Sequence, residues 1–332
     1  MRSTLIAVST IVLLISCQER KSATPKQIFF TVRQIRLQPD TTISAIAYYQ
    51  NNIIGWQDNG KLIVIDSNYK RQDAIEKRLN TLKTYYIATI HDTILVSTEK
   101  DVYFIDAKFN LQKYNNKERI FLRSIYEDSV YYVYSCCAGE FGGSVFFLNK
   151  KTNKTYSYFA TCATQVLKFK NEYVVCKNLA HLVGHMGFFI VPEPTKLYEL
   201  TDQRFKSHCN WYMEIDSLKD QKSRNSQNQV KNRPDIWGAM SMASFVYNDS
   251  LYSMISNDSS TYIAVHRKDS TYEMQRLFNK RIQFHNAQVI CTGNKTICLY
   301  NLTGGSPFEA YMITGNNSGL LVIENNKIDF LN

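Results

Sequence analysis

The side chains in this sequence that could do chemistry gather in a few stretches. His181 and His185 stand four apart in NLAHLVGHMG (178–187), with His208 and Cys209 further on. That spacing suits a transition metal, but no third ligand follows at a fixed distance, so no metal is expected. Glu140 in the Gly-rich CCAGEFGG (136–143), together with Glu309 and Asp235, offers the paired carboxylates that glycoside cleavage needs. Loop carboxylates are more often simply solvated. Trp211, Trp237, Phe141 and Phe308 offer an aromatic platform for a sugar or a peptide. No nucleophile signature and no Cys–His pattern is present. Binding therefore ranks ahead of catalysis, and an envelope hydrolase acting on glycan or peptide is the alternative.

These residues need a scaffold, and a repeat supplies it. Thr84 to Tyr114 reads as four short strands, with an apolar run ending at His91-Asp92, then Thr93–Ser97, Val102–Ile105 and a weaker fourth. The turn between first and second strands recurs at Asn52, Asp92, Asp128, Asn171, Asp249 and Asn294. By subtraction the spacings are 40, 36, 43, 78 and 45. The 78 is close to two periods, and Asn210 falls at its midpoint. Third strands keep the register at KLIVID (61–66), DVYFID (101–106), SVFFLN (144–149), GFFIVP (187–192), TYIAVH (261–266) and GLLVIE (319–324). A period near 40 with four strands per unit is the mark of an all-β propeller. The expectation is seven four-stranded blades over 27–332, with six blades and an insertion at 203–241 as the alternative.

In a propeller, first-to-second and third-to-fourth turns share one face of the disc. Second-to-third loops and blade crossovers share the other. The first-to-second turns are short here (Asn51-Asn52, Glu127-Asp128, Asn248-Asp249). The second-to-third loops read as the long ones: 136–143, 178–187, most of 216–238, and NLTGGSPFE (301–309). Long loops on a rigid scaffold are where binding usually resides. Glu140, Phe141, His181, His185, Trp211, Trp237, Phe308 and Glu309 are accordingly the ligand-binding candidates. The Asp-Ser/Thr steps at Asp40, Asp92, Asp128, Asp216 and Asp249 resemble an O-glycosylation sequon of exported bacterial proteins, but Asx-turn chemistry at each hairpin explains them.

Gly143 to Lys154 resembles the repeats of quinoprotein-like propellers, best in the second and third units. The tryptophan that ends each repeat of that family is absent, and Trp56, Trp211 and Trp237 are the whole complement. No quinone or other cofactor is expected. At the N-terminus, Arg2 precedes the apolar Leu5–Ile15, too short for a membrane span. Leu14-Ile15-Ser16-Cys17 resembles the bacterial lipobox. The resemblance implies a signal peptide at 1–16, acyl chains on Cys17 and a polar tether at 17–26. Gln18 after the cysteine implies sorting to the outer membrane, and the partners expected are the membrane itself and an envelope protein or glycan.

Composition fits this picture. Of 332 residues 44% are hydrophobic, with 22 tyrosines and 18 phenylalanines, ample for a strand-rich core. The net charge of +10 falls to +9 with the loss of Arg2. It is diffuse, whereas nucleic-acid binding wants a concentrated stripe. No nucleic-acid partner is expected.

Among the cysteines, topology singles out one bridge. Cys137 lies nine residues after Asp128, at the far end of a second strand. Cys162 lies nine before Asn171, at the start of the next unit's first strand. Both therefore reach the long-loop face on neighbouring blades, with Cys136 the competitor for Cys162. Cys176 reads as a buried small hydrophobe, and a two-residue turn at Gly293-Asn294 pairs Cys291 with Thr296. The anchor has a direct test. Cys17→Ser should leave 27–332 folded and move the protein from the membrane fraction to the soluble one. A variant that still partitions into detergent would sink the lipobox reading.

Overall fold

The computed structural model describes residues 29–37, 43–90, 92–115, 123–137, 139, 142–179, 184–200, 230–267, 270–282, 287–301 and 318–331. They form an all-β propeller. A first strand, β1 (Thr31–Ile35), belongs to the end of the ring. Blade 1 is β2 (Ala45–Tyr49), β3 (Asn52–Trp56) and β4 (Leu62–Ile65), followed by the helix α1 (Asp73–Leu79). Blade 2 is β5 (Tyr86–Ile90), β6 (Thr93–Ser97), β7 (Val102–Ile105) and β8 (Leu111–Lys113). Blade 3 is β9 (Arg123–Glu127), β10 (Tyr131–Cys137), β11 (Gly143–Asn149) and β12 (Thr155–Phe159). Blade 4 begins with β13 (Ala163–Phe169), β14 (Glu172–Leu179) and β15 (His185–Val191).

The chain then leaves blade 4. It lays β16 (Tyr198–Leu200) antiparallel on the outer strand of blade 3, and returns as β17 (Lys231–Asn232) and β18 (Ile236–Trp237) against β15. Blade 5 is β19 (Ala239–Tyr247), β20 (Ser250–Asn257), β21 (Thr261–Arg267) and β22 (Ser270–Phe278). Blade 6 is β23 (Gln288–Thr292), β24 (Lys295–Asn301), β25 (Ser318–Glu324) and β26 (Lys327–Leu331), with β1 added outside β26 in parallel.

The ring thus has six blades, not the seven expected first. Six buried apolar clusters say the same, one at each blade-to-blade interface of the described residues. Tyr132, Tyr134 and Phe146 meet Ile90 between blades 2 and 3, and Val175 and Phe189 meet Val145 and Phe147 between blades 3 and 4. Ile46 and Ile63 meet Leu299 and Val322 between blades 6 and 1. The period misled because the 78 residues from Asn171 to Asp249 hold one blade and a detour, not two blades. Asn210, the supposed turn of a fifth unit, lies outside the described residues. The ends flanking 201–229 also correct its placement. Leu200 pairs with Thr155 and Lys231 with Ile190, both at the tight-turn end of their blades. The long segment therefore interrupts a third-to-fourth connection, not a second-to-third loop.

Because each blade packs between two others, its middle strands are buried along most of their length. β4 is LIVI with all four side chains buried, and β10 is YYVYSCC with only Cys137 exposed. Outer strands face solvent, and β22 has no buried side chain. The third strands of blades 1 to 3 end in a shared Asx turn, which is why that end of the repeat is legible in sequence there. Asp66, Asp106 and Asn149 each accept two backbone N–H groups from the turn that follows, at 2.8–3.0 Å. Asp128 does the same for Val130 and Tyr131 at 2.8 Å.

Blades are tied to one another by side-chain amides. Gln165 of β13 accepts the Ser244 N–H at 2.8 Å and donates to the Ser244 carbonyl at 2.6 Å. Asn178 of β14 clasps Ser241 at 3.0 and 2.9 Å. Gln288 of β23 clasps Ile46 across the blade 6–blade 1 joint at 2.8 and 2.6 Å. Each clamp satisfies a donor and an acceptor that ring geometry leaves without a ladder partner. Gln165→Met, close in shape, should therefore destabilise the protein by about 2–4 kcal/mol, two backbone groups being left unpaired. The urea midpoint reads this, and an unchanged midpoint would mean that the clamp carries no stability.

Candidate functional site

Of the candidates on the long-loop face, Glu140, Phe141, His181, Trp211, Phe308 and Glu309 lie outside the described residues, as do His208, Cys209 and the lipidation residue Cys17. His185 and Trp237 are described, and the structure brings them together. His185 was expected in a loop. It opens β15, because Leu179 pairs with His185 and the strands close earlier than the Gly-rich stretch suggested. β18 then places Trp237 directly opposite His185. The two rings stack at 5.0 Å with 26° between their planes. His185 is 8% exposed and Trp237 is 72% exposed. The indole covers the imidazole with one face and offers the other to solvent.

Asp235 completes the group. Its Oδ1 lies 2.8 Å from Lys177 Nζ and its Oδ2 lies 3.7 Å from His185 Nε2. The close approach depends on Gly187, which pairs with Lys177. A Cβ there would collide with the Asp235 carboxylate. Gly238, at φ +73°, then turns the chain into β19, its N–H bonding the Gly184 carbonyl at 2.9 Å. Burial pushes the His185 pKa down, the Asp235 carboxylate raises it in part, and Lys177 lowers it further. The net shift is downward, so the imidazole under the indole is neutral at pH 7. An exposed indole face, with a carboxylate and an ammonium in one cluster with it, is what recognition of a polyhydroxylated ring uses. The ring stacks, and the polar groups bond its hydroxyls.

Residues that the sequence did not single out extend the same face. Tyr85 and Tyr86 are about half-exposed at the start of blade 2, with Trp56 edge-on to Tyr86 at 6.5 Å and Lys83 over Tyr85 at 5.7 Å. Phe159 is 41% exposed at the end of β12, beside Gly142. Placing strand ends by face, rather than searching loops, would have found all three. Cys137 and Cys162 form a disulfide with Cα atoms 4.3 Å apart, tying blade 3 to the start of blade 4 on this face. Cys136 is disulfide-bonded too, and among the described residues Cys176, Cys291 and Cys298 form no disulfide. Among the described residues no group of three or more His, Cys, Asp or Glu is placed to hold a metal, and no helix is long and apolar enough to cross a membrane.

No protein-family model matches the chain, and no curated protein matches it. Solved structures do resemble it. BamB from Moraxella catarrhalis is 10% identical with a TM-score of 0.40, over 78% of this chain and 82% of that one. A prolyl endopeptidase is 10% identical with a TM-score of 0.42, over 87% of this chain and 42% of the other. The β-propeller domain of the trilobed protease from Pyrococcus furiosus is 7% identical with a TM-score of 0.32, over 85% and 92%. Likeness at this level carries no functional argument, and the six-bladed ring stands on the strand pairing described above.

The stacked pair makes a spectroscopic prediction. An imidazolium quenches a stacked indole, so acidification should dim the Trp237 fluorescence, with a midpoint below the ordinary histidine value of about 6.5. Asp235→Asn removes the carboxylate that raises the His185 pKa, so it should move that midpoint lower still. A pH titration of the parent against Trp237→Phe isolates the signal. A midpoint above 6.5, or one that rises in Asp235→Asn, would contradict the geometry.

Proposed function

We propose that the protein is a lipid-anchored module of the cell envelope that binds a glycan or protein partner through its long-loop face. Cys17 carries the lipid, the tether at 17–26 spaces the ring from the outer membrane, and the propeller is a rigid platform. The single observation that carries the reading is Trp237. A tryptophan 72% exposed, yet held from beneath by a buried histidine, is a preorganised contact rather than a core residue left outside. Asp235 and Lys177 in the same cluster favour a pyranose ring, for which they supply an acceptor and a donor. Tyr85, Tyr86 and Phe159 extend the contact surface toward blades 2 and 3.

The hydrolase alternative has less to stand on. Asp235, one of its three candidate carboxylates, has an oxygen committed to Lys177 at 2.8 Å. The test uses residues 27–332 as a soluble protein, screened against envelope glycans and in pull-downs of outer-membrane proteins. Trp237→Ala should weaken whichever ligand binds by about tenfold or more, as loss of an aromatic anchor does, with the melting temperature unchanged. A partner that binds Trp237→Ala as tightly as the parent would sink this placement of the site.

A further inference from the structure

The opposite, tight-turn face holds a cavity that the binding reading leaves unused. It measures about 250 Å³ and opens where the inner strands of blades 3, 4, 5 and 6 reach that face. Leu167, Phe245 and Ile323 supply apolar lining, and Lys168 and Lys295 line it as well. An apolar cavity of about 150 Å³ is enough for benzene. This one has room for a ring or a short alkyl chain together with a head group.

The two lysines are only loosely paired. Among the described residues six other lysines close on a carboxylate at 2.5–3.0 Å. Lys168 stands 3.6 Å from Asp128 and Lys295 stands 3.5 Å from Glu324, both too far for a good hydrogen bond. The stand-off at Asp128 has a cause. That carboxylate already accepts the Val130 and Tyr131 N–H groups and the Tyr173 hydroxyl, each at 2.8 Å. Aromatic faces hold the ammoniums instead, Lys168 over Tyr173 at 5.1 Å and Lys295 over Tyr48 at 5.8 Å. Both ammoniums thus keep N–H donors for an incoming oxygen. The one carboxylate in the lining, Glu127, is paired to Lys150 at 2.5 Å. Cys291 also lines the cavity, and burial raises its pKa, so it is a neutral thiol that adds no charge.

We propose that this cavity binds a small amphiphilic carboxylate, an arylalkanoate or a medium-chain fatty acid. Its carboxylate sits on Lys168 and Lys295 and its apolar body on Leu167, Phe245 and Ile323. The site is separate from the Trp237 face and does not depend on it.

Cys291 is a built-in reporter. Of the three described cysteines outside disulfides it alone is partly exposed, while Cys176 and Cys298 are buried and serve as internal controls. The protein is alkylated with iodoacetamide and the rate at Cys291 followed by peptide mapping, with 3-phenylpropionate, hexanoate or the neutral 3-phenylpropanamide present. The acids should slow alkylation at least fivefold at millimolar concentration, and the amide should not. Lys168→Met and Lys295→Met should each weaken the protection, and the double variant should abolish it, protection being measured against the ligand-free rate of the same variant. If Cys291 resists the reagent in the native protein, titration calorimetry with the same ligands and variants gives the same comparison. Equal effects of acid and amide, protection that survives in the double variant, or no protection and no heat at all would overturn the proposal.

Discussion

A propeller has one structural debt that its blades do not settle by themselves. An inner strand pairs with its own second strand on one side only, so the backbone groups on its other side face the channel or the next blade with no ladder to join. In this ring side-chain amides meet that demand. Gln165 clasps Ser244, Asn178 clasps Ser241 and Gln288 clasps Ile46. Bulges prepare the ground: the β19 register shifts between Ser241 and Ala243, and β13 shifts between Ala163 and Gln165. The bulges turn the strand where the clamp attaches and send Met242 into the core between blades 5 and 6. Tryptophans do this docking in the repeat family that the sequence resembles. Here three tryptophans serve the whole chain, and amides stand in at the joints.

The ends of the ring obey the same requirement that no edge be left bare. β1 covers β26, and Asp329 is the hub of that seam. It takes a two-pronged bond from Arg33 at 2.6 Å on both arms and the Tyr69 hydroxyl of blade 1 at 2.7 Å. Burial opposes ionisation of Asp329, but Arg33 and Tyr69 outweigh it and draw the carboxyl below its usual range. Upstream of β1, Gln275 of β22 clasps the Phe30 backbone at 2.8 and 3.0 Å, so one short segment stitches blade 5 to blade 6. Blade 1 has three strands, and α1 shields its outer edge. Glu76 accepts the Val64 N–H at 3.0 Å, and Asn80 clasps Leu62 at 2.7 Å on both sides. A helix with two well-placed polar side chains substitutes for a fourth strand.

Much of this was legible because strand and turn chemistry is local. Third strands ending in Asp66, Asp106 or Asn149 repeat in sequence because the same Asx turn repeats in space. The pairing of Cys291 with Thr296 followed from the length of a turn. Where a long connection inserts within a blade, local signals fail. A count of periods cannot tell a blade from a detour, since both consume about 40 residues and only the pairing of β17 and β18 with β15 tells them apart. The site was half legible for a similar reason. Trp237 and His185 are 52 residues apart, and nothing in either stretch announces that β18 lies beside β15. Tyr85, Tyr86 and Phe159 escaped because they look like ordinary strand aromatics until the strand ends are assigned to a face.

Two histidines in the same half of the ring show what separates framework from site. His266 is buried in blade 5, with Nε2 2.8 Å from Ser253 Oγ and Nδ1 2.9 Å from Thr271 Oγ1, and Ser253 Oγ is 2.7 Å from Ser244 Oγ. Burial drives its pKa down to about 3, so it is a neutral link in a hydroxyl ladder that ends at the backbone held by Gln165. Every polar atom of its ring is engaged and no ligand can reach it. His185 is nearly as buried, yet its ring face is spent on an indole that stays 72% exposed. The first arrangement turns polarity inward to fix the position of one blade against the next. The second uses a buried ring to stiffen an exposed one, and that costs apolar surface in water with no gain in packing. In the proposed function a partner covers that open face, and the clamped scaffold holds Trp237 ready for it.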